Sequence, residues 1–448
     1  MVTPAPSFGV PVWKVAFASF IGTCIEFFDM YIFGTASALV FSKLFFPSLD
    51  PLAGTLAAFA TFGVGFAARP LGGVIFGHFG DRFGRKSMLV LSLAIMGSGT
   101  AVVGLLPTYQ QIGIWAAVLL VLARLMQGVA IGGEWSGAVL MAAEHAPARK
   151  RAFYASWPLC GVPVGLVLAT GSFYLIGLLP ESAMMSWGWR LPFLASAVLL
   201  VVGLYIRVQI TESPAFQAVR DRGREARFPA SEVVRRNGKA VVIGVLAMAA
   251  NSIPFYMPTV FALRYGVEEG GASKGTILLA VCIAAVIQVF TIPFAAALAD
   301  RFGRRPVLLA GSLLAVLEAF PFFWLLNTGN TLAIIVAMVI AIPVVHTLTY
   351  APIASFLSEL FETRLRYSGS AISYQVGSMM WSGPVPFVSA ALFAWAGDAW
   401  PLSLYMLIPS LLSFVAIYSA RETYRDDIVN DSRLGGRAGA VRAPAKGL

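Results

Sequence analysis

Four carboxylates stand inside otherwise apolar stretches of the 448-residue sequence: Glu26, Asp29, Glu134 and Glu318. A charged group surrounded by hydrocarbon is costly unless it is paired, hydrated or neutralised. An acid that passes between those states takes up and releases a proton, so each of the four is a candidate for proton-transfer chemistry. Glu26 and Asp29, three residues apart, share one face of a helix, and Arg124, Gln127, Ile131 and Glu134 fall within an arc of roughly 80° on another. That second stripe has to face a cavity or a neighbouring helix. Arg124 is its permanent cation: a guanidinium beside a carboxylate holds it ionised, and separating the two favours the neutral acid. No convergent His, Asp and Ser cluster suited to an enzyme accompanies these residues, and no GxxxxGK[ST] sequence suggests ATP use.

The elements that must position them are long and apolar. Apolar residues make up 58% of the chain and charged residues 12%, where a soluble protein has about a quarter charged. Twelve blocks of membrane-spanning length are predicted at 13–36, 55–79, 87–106, 112–142, 153–178, 188–209, 240–264, 275–299, 306–326, 331–357, 368–395 and 400–420. In lipid every backbone amide needs an internal partner, so the blocks must be helices. The N-terminal MVTPAPSFGVPVWK has neither a basic region nor a cleavage site, which argues against a removable signal peptide. Cys24, Cys160 and Cys282 lie within spans and offer no disulfide framework.

Lysine and arginine gather at one set of connections: Lys14; Arg82, Arg85 and Lys86; Arg149, Lys150 and Arg151; the run from Arg207 to Lys239; Arg301, Arg304 and Arg305; Arg364 and Arg366; and the tail from Arg421 to Lys446. The opposite connections hold Lys43, Arg264 and Lys274. The net charge of +10 therefore reads as orientation in a lipid bilayer and not as nucleic-acid binding. It predicts a multi-pass protein of the cytoplasmic (inner) membrane with both termini cytoplasmic. The expected domains are an N-terminal six-helix bundle (1–209), a charged cytoplasmic linker with some surface helix (210–239), a C-terminal six-helix bundle (240–420) and a disordered tail (421–448). Counted from the outer ends of their spans, Arg124 lies at roughly 18 Å and Asp29 and Glu26 at roughly 10 and 15 Å, so Arg124 is expected to reach either acid. Glu134 lies about 15 Å further inward. It is expected to release protons or act in gating, or else to pair with Arg69. Glu318 is expected to be peripheral, protonated or snorkelled.

The halves repeat. GHFGDRFGRK (77–86) matches AALADRFGRR (296–305), and Glu144 with Arg149 and Arg151 parallels Glu359 with Arg364 and Arg366 at almost the same separation. Two such matches imply bundles related by a twofold axis along the membrane normal. Asp81 and Arg85 sit four apart on a helical turn, and Gly77, Gly80 and Gly84 permit close backbone approach. A cytoplasmic gate is expected from Gly77, Asp81, Arg82, Gly84, Arg85, Lys86, Asp300, Arg301 and Arg304, with Glu144, Arg151, Glu359 and Arg366 as counter-charges.

These residues resemble the major facilitator superfamily, whose signature Gly77 through Lys86 follows. GTCIEFFDMYIFG (22–34), ARPLGGVIFGHFGDRFGRK (68–86), RLMQGVAIGGEWSGAVLMAAEHAP (124–147), ITESPAF (210–216) and SELFETRLRYSG (358–369) are similar to its metabolite:proton symporter family over nearly the whole chain. Ala296, Ser136 and Glu362 depart from the family pattern. The resemblance implies Asp29 as the acid that exchanges protons, Arg124 as its partner and Glu26 as second. On that scheme, protonating Asp29 frees the Arg124 fork for a substrate carboxylate.

In the second half Asn251, Tyr256, Gln288, His346, Tyr350, Tyr374 and Gln375, together with Arg124 and Gln127 in the first, are candidates to line the substrate site. Helix–helix hydrogen bonding is their alternative use. Pro254 and Pro258 are expected to break span seven, and Gly161 and Gly165 to bring span five close to a neighbour. His78, His145 and His346 lie apart, so neither a metal nor any other cofactor is implied. The expected function is proton-coupled symport of a small organic acid by a chain acting as a monomer. Uptake of a zwitterionic osmolyte or a sugar is the alternative. A drug:proton antiporter is disfavoured because span five carries only GVPVG (161–165).

Overall fold

The computed structural model describes residues 12–83, 85–132, 134, 151–208, 229–361 and 366–422. Twelve helices are long and apolar enough to cross a membrane: α1 (Val12–Phe45), α2 (Pro51–Phe76), α3 (Ser87–Leu105), α4 (Trp115–Gly132), α5 (Ser156–Ile176), α6 (Arg190–Val208), α7 (Asn237–Glu268), α8 (Lys274–Phe302), α9 (Arg304–Leu326), α10 (Thr331–Leu357), α11 (Ser368–Ala396) and α12 (Trp400–Ser419). In the first six, α1 packs on α5 and α6, α2 on α4, and α3 on α4 and α6. Each of these contacts has its counterpart six helices on: α7 on α11 and α12, α8 on α10, and α9 on α10 and α12. Between the bundles α5 meets α8 and α2 meets α11, again a matched pair. The repeat seen in two loops thus extends to the packing of every helix.

Lipid tails are as apolar as leucine, so close backbone packing must supply much of the attraction between helices. Small residues provide it here. A Cβ on Gly161 or Gly165 would come within 2.7 Å of α1 backbone oxygens, those of Phe20 and Cys24. Gly128 and Gly132 on α4 press in the same way on the Gly65 and Arg69 carbonyls of α2. α1 and α7 are the most enclosed helices, whereas α6 turns Val198, Val201 and Tyr205 outward as a lipid-facing surface.

Three helices depart from the expected spans. α1 continues through a π-helical turn, Ser37–Phe41, to Phe45, so Asp29 lies deeper from the outer end than counted. Pro254 and Pro258 do not break α7. The chain passes from Tyr256 into a buried π-helix, Met257–Phe261, because a wider turn accommodates a ring that blocks the usual i→i−4 bond. α10 holds a π-helix too, Ile340–His346, with Pro343 inside it. α11 is interrupted between Trp381 and Val385. The end of the charged linker is helical from Pro229, kinks at Asn237 where the backbone leaves helical angles, and runs on into α7. Val233 anchors it against Phe361. Between α8 and α9 the second DRFGR copy turns at Gly303, whose φ of 103° is strained for any side chain. Gly303→Ala is expected to cost about 1–3 kcal/mol, read as a lowered thermal midpoint of the purified protein.

Candidate functional site

The polar stripe of α4 lies wholly inside the first bundle: Arg124, Gln127, Ile131 and Glu134 are all buried, as are Glu26 and Asp29 on α1. Asp29 and Arg124 are joined through two other side chains and not face to face. The Thr100 hydroxyl on α3 donates to Asp29 Oδ2 at 2.8 Å, Gln127 Nε2 donates to Thr100 Oγ1 at 2.7 Å, and Arg124 Nη1 donates to Gln127 Oε1 at 3.2 Å. Gly65 makes room for the guanidinium against α2. There it lies 4.3 Å from the Phe33 ring centre and 5.6 Å from that of Phe62. Asp29 Oδ1 has no hydrogen-bond partner among the described residues.

Glu134 pairs with Arg207 of α6 and not with Arg69. Arg207 also donates to the Leu89 carbonyl of α3 at 2.9 Å, and a glycine, Gly22, is the α1 residue that admits its head group. Arg207 is thus a buried structural cation and not part of the cytoplasmic charge run assigned to it by the sequence. Its position at the end of a span makes the two indistinguishable by pattern. Glu318 is likewise not snorkelled: it is buried on the inward face of α9, both carboxylate oxygens without hydrogen-bond partners among the described residues.

Midway along the helices, between the bundles, a cavity of about 20 Å³, room for about one water, collects Asn251, Tyr256, His346, Tyr350 and Tyr374. Phe27 and Val162 close it from the first bundle, and Ser378 and Ser382 add hydroxyls the sequence reading did not single out. Asn251 Oδ1 is buried there without a partner among the described residues. The His346 ring is stacked between Phe255, centroid 3.9 Å away, and Tyr350 at 4.8 Å. Gln288 stands behind it, Nε2 donating to His346 Nδ1 at 2.7 Å and to the Ile342 carbonyl at 2.9 Å. Gln375 does not line the cavity either: its Nε2 reaches across the bundles to the Gly132 carbonyl at 2.9 Å. Arg124 and Gln127 remain in the first bundle, outside the lining. Among the described residues no group of His, Cys, Asp and Glu could hold a metal.

At the helix ends opposite the DRFGR loops, a second cavity of about 510 Å³ lies between the bundles and is lined by Lys43, Asp50, Arg264, Glu268 and Lys274. At the other end Arg304 is held by Asp300 at 3.0 Å and Glu359 at 3.2 Å, which brings three of the second-half gate candidates together. Arg301 is exposed beside Phe302. The side chains of Asp81, Arg82, Arg85, Lys86, Arg151 and Arg366, and the residues Gly84, Glu144, Arg149, Glu362 and Arg364, lie outside the described part, as does Gly77 apart from its helical backbone.

Two matched six-helix bundles around a buried polar centre, with a cavity between them, define a membrane transporter. The chain belongs to the Major Facilitator Superfamily, whose model matches residues 19–385. It is 41% identical over 416 residues to the inner membrane metabolite transport protein YhjE of Escherichia coli, covering 92% of this chain and 94% of that one. It is 39% identical to the shikimate transporter of the same organism (92% and 95% covered) and 33% identical to the proline/betaine transporter of Salmonella typhimurium (92% and 83%). Among solved structures, the D-xylose-proton symporter shares the fold at 18% identity and a TM-score of 0.73, covering 92% of this chain and 99% of that one. The protein is a metabolite transporter, not an enzyme.

Proposed function

We propose that the protein is a proton-coupled symporter that imports a small carboxylate-bearing metabolite by alternating access. In this reading it acts as a monomer in the cytoplasmic (inner) membrane with both termini in the cytoplasm. The observation that carries the reading is the Asp29–Thr100–Gln127–Arg124 chain, which suits both protonation states of Asp29. With Asp29 ionised, Thr100 donates to it. With Asp29 protonated, the acid donates to Thr100, whose own proton turns to the Met96 carbonyl, 3.1 Å away. Thr100 Oγ1 still accepts from Gln127 in either case, since a hydroxyl has two lone pairs. The acid can therefore gain or lose its proton without breaking the Asp29–Thr100–Gln127 links, while Arg124 senses the change through Gln127. Glu26 and Glu134 complete the buried acids of the same bundle.

The relatives' names support the substrate class, because shikimate, proline and betaine each carry a carboxylate. A zwitterionic osmolyte is the second reading, favoured by the aromatic cavity lining of Phe255, Tyr256, Tyr350 and Tyr374, which suits a quaternary ammonium. Purified protein in liposomes is expected to accumulate shikimate or glycine betaine when the outside is acidified and to stop when an ionophore collapses the gradient. Accumulation indifferent to the gradient would refute proton coupling. The Asp300–Arg304–Glu359 set supports a cytoplasmic latch. Glu359→Gln is expected to lower the maximal uptake rate severalfold with little change in half-saturation, because the latch biases end states and touches no substrate. Initial rates at limiting and saturating substrate check this.

A further inference from the structure

Arg69, about two-thirds of the way along α2, is placed where an arginine is costly. It is 3% exposed among membrane-spanning helices, and a buried guanidinium normally meets carboxylate or carbonyl oxygens with several of its five N–H donors. Among the described residues it forms no ion pair. Nη2 donates to the Met30 thioether at 3.5 Å, Nε has no partner among the described residues, and the head group lies over the Phe66 ring, 4.0 Å from its centre. A thioether sulfur is a weak acceptor. The same sulfur takes a second strong donor, the Tyr256 hydroxyl at 3.4 Å. Tyr256 lines the central cavity and packs its ring on Phe66 at 5.6 Å. Two good donors, one from each bundle, thus share one poor acceptor directly behind Tyr256 of the cavity wall.

Both donors gain by exchanging that sulfur for a carboxylate, since the guanidinium fork fits one bidentately and charge-assisted bonds are roughly twice as strong as neutral ones. Neither arginine lines the cavity, but Arg124 is committed to Gln127, whereas Arg69 is joined through the Met30 sulfur to Tyr256, which does line it. We propose that Arg69 anchors the substrate carboxylate, with the Tyr256 hydroxyl completing the contact and the Phe66 ring supporting the guanidinium. The inference rests on the carboxylate-symport reading and deepens it. A substrate gripped by α2 and α7 at once ties the two bundles together, so a neutral analogue cannot draw them closed in the same way. It also divides the labour of the two arginines, Arg69 on substrate and Arg124 on the proton.

The test is isothermal titration of the full-length protein in detergent at mildly acidic pH with shikimate, proline, glycine betaine and methyl shikimate. Wild type is expected to bind at least one acid and to bind the ester far more weakly than shikimate. Arg69→Gln should lower the affinity for that acid by at least about 30-fold, Arg69→Lys should recover part of it, and Tyr256→Phe should lose roughly fivefold. Glu26 lies within electrostatic reach of Arg69, so a mere counter-charge role is the rival. Full binding by the Glu26→Gln/Arg69→Gln double variant would establish that rival and overturn the inference. Affinity within about threefold of wild type in Arg69→Gln, with wild type binding an acid, overturns it while the symport reading stands. If Arg69→Gln does not fold, unchanged binding in Tyr256→Phe together with tight ester binding overturns it equally. Wild type that binds none of the three acids defeats the carboxylate reading first, and this inference with it.

Discussion

Asp29→Asn is expected to abolish accumulation of substrate against its gradient while leaving exchange of substrate across the membrane near wild type. The amide mimics the protonated acid: it donates to Thr100 Oγ1, which accepts while sending its own proton to the Met96 carbonyl. The variant is thereby fixed in the loaded form of the chain, able to reorient with substrate but never to release a proton. Thr100→Val makes the complementary cut. Asp29 keeps its carboxyl group but loses its link to Gln127 and Arg124. Leaving buried groups unsatisfied costs about 1–3 kcal/mol, so uphill uptake should fall roughly tenfold or more. Counterflow and gradient-driven uptake in the same vesicles separate the two effects.

Breaking the Glu134–Arg207 pair from one side should be the most destabilising single change in the first bundle. Both side chains are buried between α3, α4 and α6. Removing one partner strands the other charge, at about 3–5 kcal/mol. Replacing both by neutral groups of similar size removes that penalty, so Glu134→Gln/Arg207→Leu should regain most of the stability lost by Arg207→Leu alone. Thermal melting of the four proteins as a double-mutant cycle checks this. Additive losses would show that the two residues act independently.

The architecture was legible because its signals are physical necessities: block length, the one-sided placement of Lys and Arg, and a loop written twice. Asp29, Arg124 and Glu134 stood out because charge is scarce in hydrocarbon. Thr100 did not. A hydroxyl in a span usually bonds back to its own helix, as Thr100 does to Met96, so nothing in the sequence marks the one that also reaches an acid. Arg207 was masked by its place at a span end, where cations are ordinary. Gln375 was visible as polar, but its partner is a backbone carbonyl, Gly132, which no side-chain pattern announces. The π-turns of α7 and α10 show the same limit: proline forecasts a disturbed helix, while the surrounding packing decides between a break and a widened turn.

The central claim is that substrate and proton move together through Asp29. It is met most directly by a pH electrode in a lightly buffered suspension of vesicles with no imposed gradient, to which shikimate or glycine betaine is added. The account predicts that the medium turns alkaline as substrate enters vesicles holding the wild type and stays level with Asp29→Asn. Substrate entry without alkalinisation in the wild type, or equal alkalinisation in both, would contradict it.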